Sequence, residues 1–85
     1  MPAVVDLTPF GFTPTESQVY GALLRLGPAT GYAVAHASHI ASANAYAALE
    51  GLAGRAAAVR VPGRPLRYRP ADPRALIAQL ATEQG

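Results

Sequence analysis

Ala58-Val59-Arg60-Val61-Pro62-Gly63-Arg64-Pro65-Leu66-Arg67-Tyr68-Arg69 decides the fold, because the pattern of the chain changes period there. Val59, Val61, Leu66 and Tyr68 alternate with Ala58, Arg60, Arg67 and Arg69 around the turn Pro62-Gly63-Arg64-Pro65. Period-two alternation broken by Pro and Gly predicts a β-hairpin. A four-residue loop pairs Val61 with Leu66, Arg60 with Arg67 and Val59 with Tyr68, which makes one face apolar and the other arginine. Arg60 opposite Arg67 then carries a cross-strand repulsion. An isolated hairpin is marginal, so a short strand near Pro28-Ala29 is expected beside it.

Upstream, the pattern is helical. Thr13-Pro14-Thr15-Glu16 reads as a capping box with Pro at the first helical position. The helix it opens carries Val19, Leu23 and Leu26 on one stripe, with Tyr20 and Leu24 beside it, and Gly27-Pro28 stops it. Thr30 caps a short second helix over about residues 31–37. Ser42 caps a third through about residue 53, with Ala45, Ala48, Leu49 and Leu52 inward. Ala43, Ala47 and Glu50 then point outward, Asn44 and Tyr46 lie on the flanks, and Gly51 and Gly54 weaken the last turn.

After the hairpin, Asp72-Pro73 caps a last helix with Leu76, Ile77 and Leu80 on one face and a frayed polar end over residues 82–85. Residues 1–12 contain Val4, Val5, Leu7, Phe10 and Phe12, interrupted by Pro2, Pro9 and Gly11. They read as an extended apolar arm that packs on the body. The order of three helices, a hairpin and a C-terminal helix is an α+β chain, mostly α, of the winged helix-turn-helix kind. It divides into an arm (1–12), a winged helix-turn-helix domain (13–70) and a C-terminal helix (71–85) that is a candidate dimer contact.

Composition agrees with one small domain. Of 43 hydrophobic residues in 85, 19 are alanine, so a thin core of closely approaching helices is expected. The absence of cysteine excludes disulfides and thiolate metal sites. No apolar run approaches the roughly 20 residues of a membrane span, and the first residues do not resemble a secretion signal. The expectation is a cytoplasmic domain.

Charge is concentrated. Every basic side chain other than histidine is arginine, and residues 55–74 hold six of the seven against the single Asp72. Such a segment on a weakly charged body is the footprint of a polyanion partner. A bound phosphate would also relieve Arg60 facing Arg67.

Phe12-Thr13-Pro14-Thr15-Glu16-Ser17-Gln18-Val19-Tyr20-Gly21-Ala22-Leu23-Leu24, Leu26-Gly27-Pro28-Ala29-Thr30-Gly31-Tyr32, Ser42-Ala43-Asn44-Ala45-Tyr46-Ala47-Ala48-Leu49 and Pro62-Gly63-Arg64-Pro65-Leu66-Arg67-Tyr68-Arg69-Pro70 together resemble the DNA-binding domain of the TrmB-like transcriptional regulators. The resemblance covers roughly residues 12–80. It implies sequence-specific double-stranded DNA binding, usually as a homodimer, with the third helix in the major groove. The chain departs from that family in three ways. Ser42 and Asn44 stand where basic residues are common, and His39 replaces a glycine in the preceding turn. The large effector-binding domain of many relatives is not among the 85 residues, so no small-molecule effector is expected within this chain.

On that reading, Arg64 at the wing tip enters a minor groove while Arg60, Arg67 and Arg69 face phosphates. Ser42 and the amides of the third helix's first turn offer a phosphate site. Asn44 suits adenine, and Ala43 and Ala47 suit thymine methyls. Asn44 serves equally as an ordinary surface residue, and Tyr46 as a base contact or as partly buried packing. Glu50 would repel phosphate unless it lies near a cytosine amino group or outside the groove. His36 and His39 have no third ligand in view, so no metal or other cofactor is expected. No nucleophile constellation or phosphate loop supports catalysis. Two other readings stay open: a protein-interaction module that binds no DNA, favoured by the third helix's lack of basic residues, and a non-specific architectural DNA binder.

Overall fold

The computed structural model describes residues 5–84, so the first four residues of the apolar arm and Gly85 lie outside the described residues. The elements run in the order of a winged helix-turn-helix: α1 (Pro14–Leu26), α2 (Gly31–Ser38), α3 (Ser42–Gly54), β1 (Ala58–Val61), β2 (Arg67–Pro70) and α4 (Pro73–Gln84). Ahead of them, the part of the arm expected to be extended contains a single 3-10 turn, Thr8–Phe10. Leu7 and Phe12 flank that turn and are buried, and the Leu7 amide donates to Ser17 Oγ at 3.0 Å. Burial of these side chains holds the arm to the body, and the hydrogen bond ties it to α1.

The helix starts follow local chemistry. Thr13 Oγ1 accepts from the Glu16 amide at 3.0 Å, and Glu16 Oε1 accepts from the Thr13 amide at 2.8 Å, completing the capping box. Thr30 Oγ1 accepts from the Ala33 amide at the head of α2, and Asp72 Oδ1 accepts from the Arg74 amide at the head of α4. α3 differs from expectation. Its N-cap is Ala41, whose carbonyl accepts from Ala45, so Ser42 lies inside the first turn and makes no cap bond. The C-terminal helix extends through Gln84.

The core is thin and alanine-rich. Val19, Tyr20, Ala22 and Leu23 of α1 meet Val34 and Ala35 of α2 and Ala45, Ala48, Leu49 and Leu52 of α3, and Leu76 and Leu80 of α4 join the same cluster. Alanine at 45 and 48 lets α3 approach closely, and Leu49 and Leu52 supply most of its buried volume. Leu26, expected on the buried stripe of α1, is 47% exposed. It occupies the last turn, and Gly27 (φ 74°) leads the chain away before another element can cover it.

The hairpin forms, one residue out of the expected register. Val59 pairs with Arg69, Arg60 with Tyr68, and Val61 with Arg67. A five-residue connection, 62–66, replaces the expected four-residue loop, and a one-residue slip exchanges the faces. Ala58 and Tyr68 are the buried strand residues, whereas Val59 and Leu66 are exposed. The cause lies outside the hairpin. Ala29 and Tyr68 exchange backbone hydrogen bonds of 2.9 and 2.8 Å, providing the short third strand expected near Pro28-Ala29. Ala57 donates to the Leu52 carbonyl and accepts from Ala71, each at 2.9 Å, which seats both ends of the hairpin on the body. Arg60 therefore does not face Arg67, and the expected repulsion is absent.

Candidate nucleic-acid interface

α3 buries one face and presents the other. Ser42, Ala43, Asn44, Tyr46, Ala47 and Glu50 are all exposed. At its start no side chain caps the helix. The first-turn amides of α3 are thus open to an outside acceptor. Asn44 and Ala47 line an open hollow with Ala48 and with Thr13, Thr15 and Glu16 of the α1 head. Tyr46 is 44% exposed while its ring lies over Gly31, where a Cβ would collide with it. It is both a packing residue and part of the surface.

The turn between α2 and α3 depends on His39, which takes a left-handed conformation at φ 56°, ψ 43°. The His39 amide donates to the His36 carbonyl at 3.3 Å and the Ile40 amide to Ala35 at 3.1 Å. This is a Schellman-type end, a geometry for which glycine is the usual residue. The departure noted at this position is therefore a replacement in sequence with the backbone geometry kept. Among the described residues, no three His, Asp or Glu side chains gather into a metal-binding group.

The wing distributes its arginines over different surroundings. Arg67 and Arg69 stand on the hairpin face that carries Val61 and Val59, and Arg64 lies in the exposed turn. Arg60 occupies the other face, across from Tyr68, where Glu50 of α3 binds it. Glu50 Oε2 accepts from Arg60 Nε at 3.1 Å and from Tyr68 Oη at 2.6 Å, and Oε1 accepts from Arg60 Nη2. Arg60 and then Tyr68 hold the Glu50 carboxyl down at about 2. Burial, followed by the Glu50 carboxylate, pushes the Tyr68 phenol up. Arg55 stacks over Phe12, 4.0 Å from the ring centroid. Among the described residues the Arg60–Glu50 bridge is the one salt bridge, which leaves Arg64, Arg67 and Arg69 as exposed cations without an acidic partner.

The grouping expected from sequence is thus divided. Ser42, Ala43, Asn44, Tyr46 and Ala47 share one exposed helix surface, while Arg60 is separated from Arg67 and Arg69 by the hairpin's own plane. The Glu50–Tyr68 bond was not foreseen, since it joins residues 18 apart and exists only in the observed register.

Known proteins carry the same architecture. A chain of TrmBL2, described as an archaeal chromatin protein with a novel mode of DNA binding, superposes with a TM-score of 0.85 at 25% identity. The match covers 92% of this chain and 30% of that one. A MarR family protein from Bacillus stearothermophilus superposes with a TM-score of 0.68 at 17% identity, covering 92% of this chain and 60% of the other, and shares the fold. A comparison with curated proteins returned no match. The family model for the sugar-specific transcriptional regulator TrmB matches residues 7–74, from the buried Leu7 through the wing to the first turn of α4, and the chain belongs to the TrmB family.

Proposed function

We propose that this chain is a double-stranded DNA-binding transcriptional regulator that reads sequence with α3 and grips the backbone with the hairpin. The observation that carries the reading is the pairing of a small, uncapped and exposed helix surface with a wing whose Arg64, Arg67 and Arg69 have no acidic partner. In this reading the α3 amides near Ser42 bind one phosphate. Asn44 contacts adenine, a bidentate pair giving about 1–3 kcal/mol of discrimination. Ala43 and Ala47 admit thymine methyls, and Tyr46 borders the groove. Arg64 enters a minor groove, and Arg67 and Arg69 neutralise phosphates. The bound Arg60 is left out of this set. The protein acts in the cytoplasm as a homodimer, because two small modules on a palindrome multiply a weak single-site affinity. Leu76 and Leu80 of α4 are taken up by the chain's own core and leave that helix no apolar face for the contact.

The test is fluorescence anisotropy on a random-sequence duplex across a salt titration, for the parent and an Arg64→Ala/Arg67→Ala/Arg69→Ala variant. The parent is expected to bind with a log–log salt slope of several units and the variant to lose most of it. A parent that binds no duplex at low salt overturns the reading and turns attention to a protein-docking role for α3. Likeness to a chromatin protein favours a second reading, architectural coating of DNA. Equal affinity for every duplex in a selection experiment supports that reading over sequence-specific regulation.

A further inference from the structure

We propose that Glu50 is a positioning residue of the interface: it docks the wing against α3 by binding Arg60 and Tyr68 together, and so withholds Arg60 from phosphate while setting where Arg64, Arg67 and Arg69 stand. The role rests on the DNA-binding reading above. A carboxylate on the exposed face of α3 would by itself oppose a polyanion. Here that carboxylate accepts three hydrogen bonds, two from Arg60 and one from Tyr68.

Both donors come from one cross-strand pair, so a single acceptor holds both strands. Tyr68 is in turn fixed by its buried ring and its two backbone bonds to Ala29. Glu50 thereby joins α3, the hairpin and the strand segment before α2 at one point. Arg60 turns two of its nitrogens to that acceptor, and their opposite charges cancel at the base of the wing. The electrostatic attraction of the hairpin is then left to its tip and its other face.

The experiment compares the parent, Arg60→Ala, Glu50→Gln and the double variant on the same duplex across a salt titration. Arg60→Ala is expected to leave the salt slope nearly unchanged. Glu50→Gln is expected to steepen it by about 0.9, the increment of one added phosphate contact. Adding Arg60→Ala to Glu50→Gln is expected to abolish that gain.

Amide hydrogen exchange in the absence of DNA supplies the second readout: residues 58–70 exchange several-fold faster in Glu50→Gln and in Tyr68→Phe. If Arg60→Ala alone reduces the slope by a full phosphate contact, Arg60 is a DNA ligand and the withholding role is overturned. Unchanged hairpin exchange overturns the docking role. A parent that binds no duplex instead overturns the DNA reading, and with it the charge role, while hydrogen exchange still decides whether Glu50 docks the wing.

Discussion

Ala29 and Tyr68 exchange two backbone hydrogen bonds, of 2.9 and 2.8 Å, and so convert a two-stranded hairpin into an edge fastened to the segment between α1 and α2. That exchange fixes which face of β2 turns inward. Ala29→Pro removes one donor and leaves the Tyr68 carbonyl without its partner. A buried acceptor left unpaired costs about 1–3 kcal/mol. Urea unfolding is expected to show a loss in that range with an unchanged m-value, and an unaltered midpoint would show that the bridge contributes nothing.

Tyr20 makes a second long-range tie. Its ring is fully buried in α1, and its Oη donates to the Ala71 carbonyl at 2.7 Å, just ahead of α4. Tyr20→Phe keeps the packing and removes the bond, an expected loss of about 1 kcal/mol. Burial, and then the nearby Asp72, push the phenol from 10.0 up to about 12. Below pH 10 the native and unfolded chains both keep the proton. Between 10 and about 12 the unfolded chain releases it first, so stability falls as pH rises through that window. Denaturant titrations at pH 9 to 12 are expected to show a shallower alkaline decline in Tyr20→Phe than in the parent. Tyr68, also pushed up, keeps part of that slope in both proteins.

His39 and Ala56 both hold left-handed backbone, at φ 56° and 63°. Side chains with a Cβ are strained there and glycine is not. His39→Gly and Ala56→Gly are each expected to add about 0.5–1 kcal/mol, the strain relief exceeding glycine's extra backbone entropy. The two turns are separate, so their effects are expected to add within experimental error. Thermal unfolding of both single variants and the double variant measures this. A lowered melting temperature in either single variant refutes the strain argument at that site.

What could be read from the sequence was what short-range chemistry determines. The Thr13–Glu16 capping box closes within three residues, and the inward face of α3 follows from helical period applied to Ala45, Ala48, Leu49 and Leu52. The hairpin announced itself through period two, but its register did not. Alternation alone places Val59, Val61, Leu66 and Tyr68 together on one apolar face. The small Ala58 instead meets the body, and Tyr68 is held inward by Ala29, residues removed from it by half the chain. Gly54 does close α3, but no pattern in the sequence points to the left-handed backbone at Ala56 two residues on. The exposed helix surface could be anticipated from the wheel, whereas the division of the arginines could not. It required the register, and the register required the tertiary contact.

Glu50 gives the acid side of the stability profile. Arg60 and then Tyr68 hold its carboxyl at about 2 rather than 4.5, so the native chain releases this proton more readily than the unfolded chain. The resulting stability is present above pH 4.5 and is lost as pH falls toward 2. Glu50→Gln cannot titrate, so its stability is expected to vary less over that interval than the parent's. Asp6, whose carboxyl the Thr8 hydroxyl and amide also hold down, leaves a residual slope in both. Arg60 and Glu50 are each about half exposed, at 50% and 48%, so their attraction is open to screening. Raising salt to 1 M shortens the screening length to about 3 Å and is expected to bring the acid-limb stabilities of parent and variant closer together. Parallel acid limbs for the two proteins at low salt would show that Glu50 gains nothing from Arg60 and Tyr68 on folding.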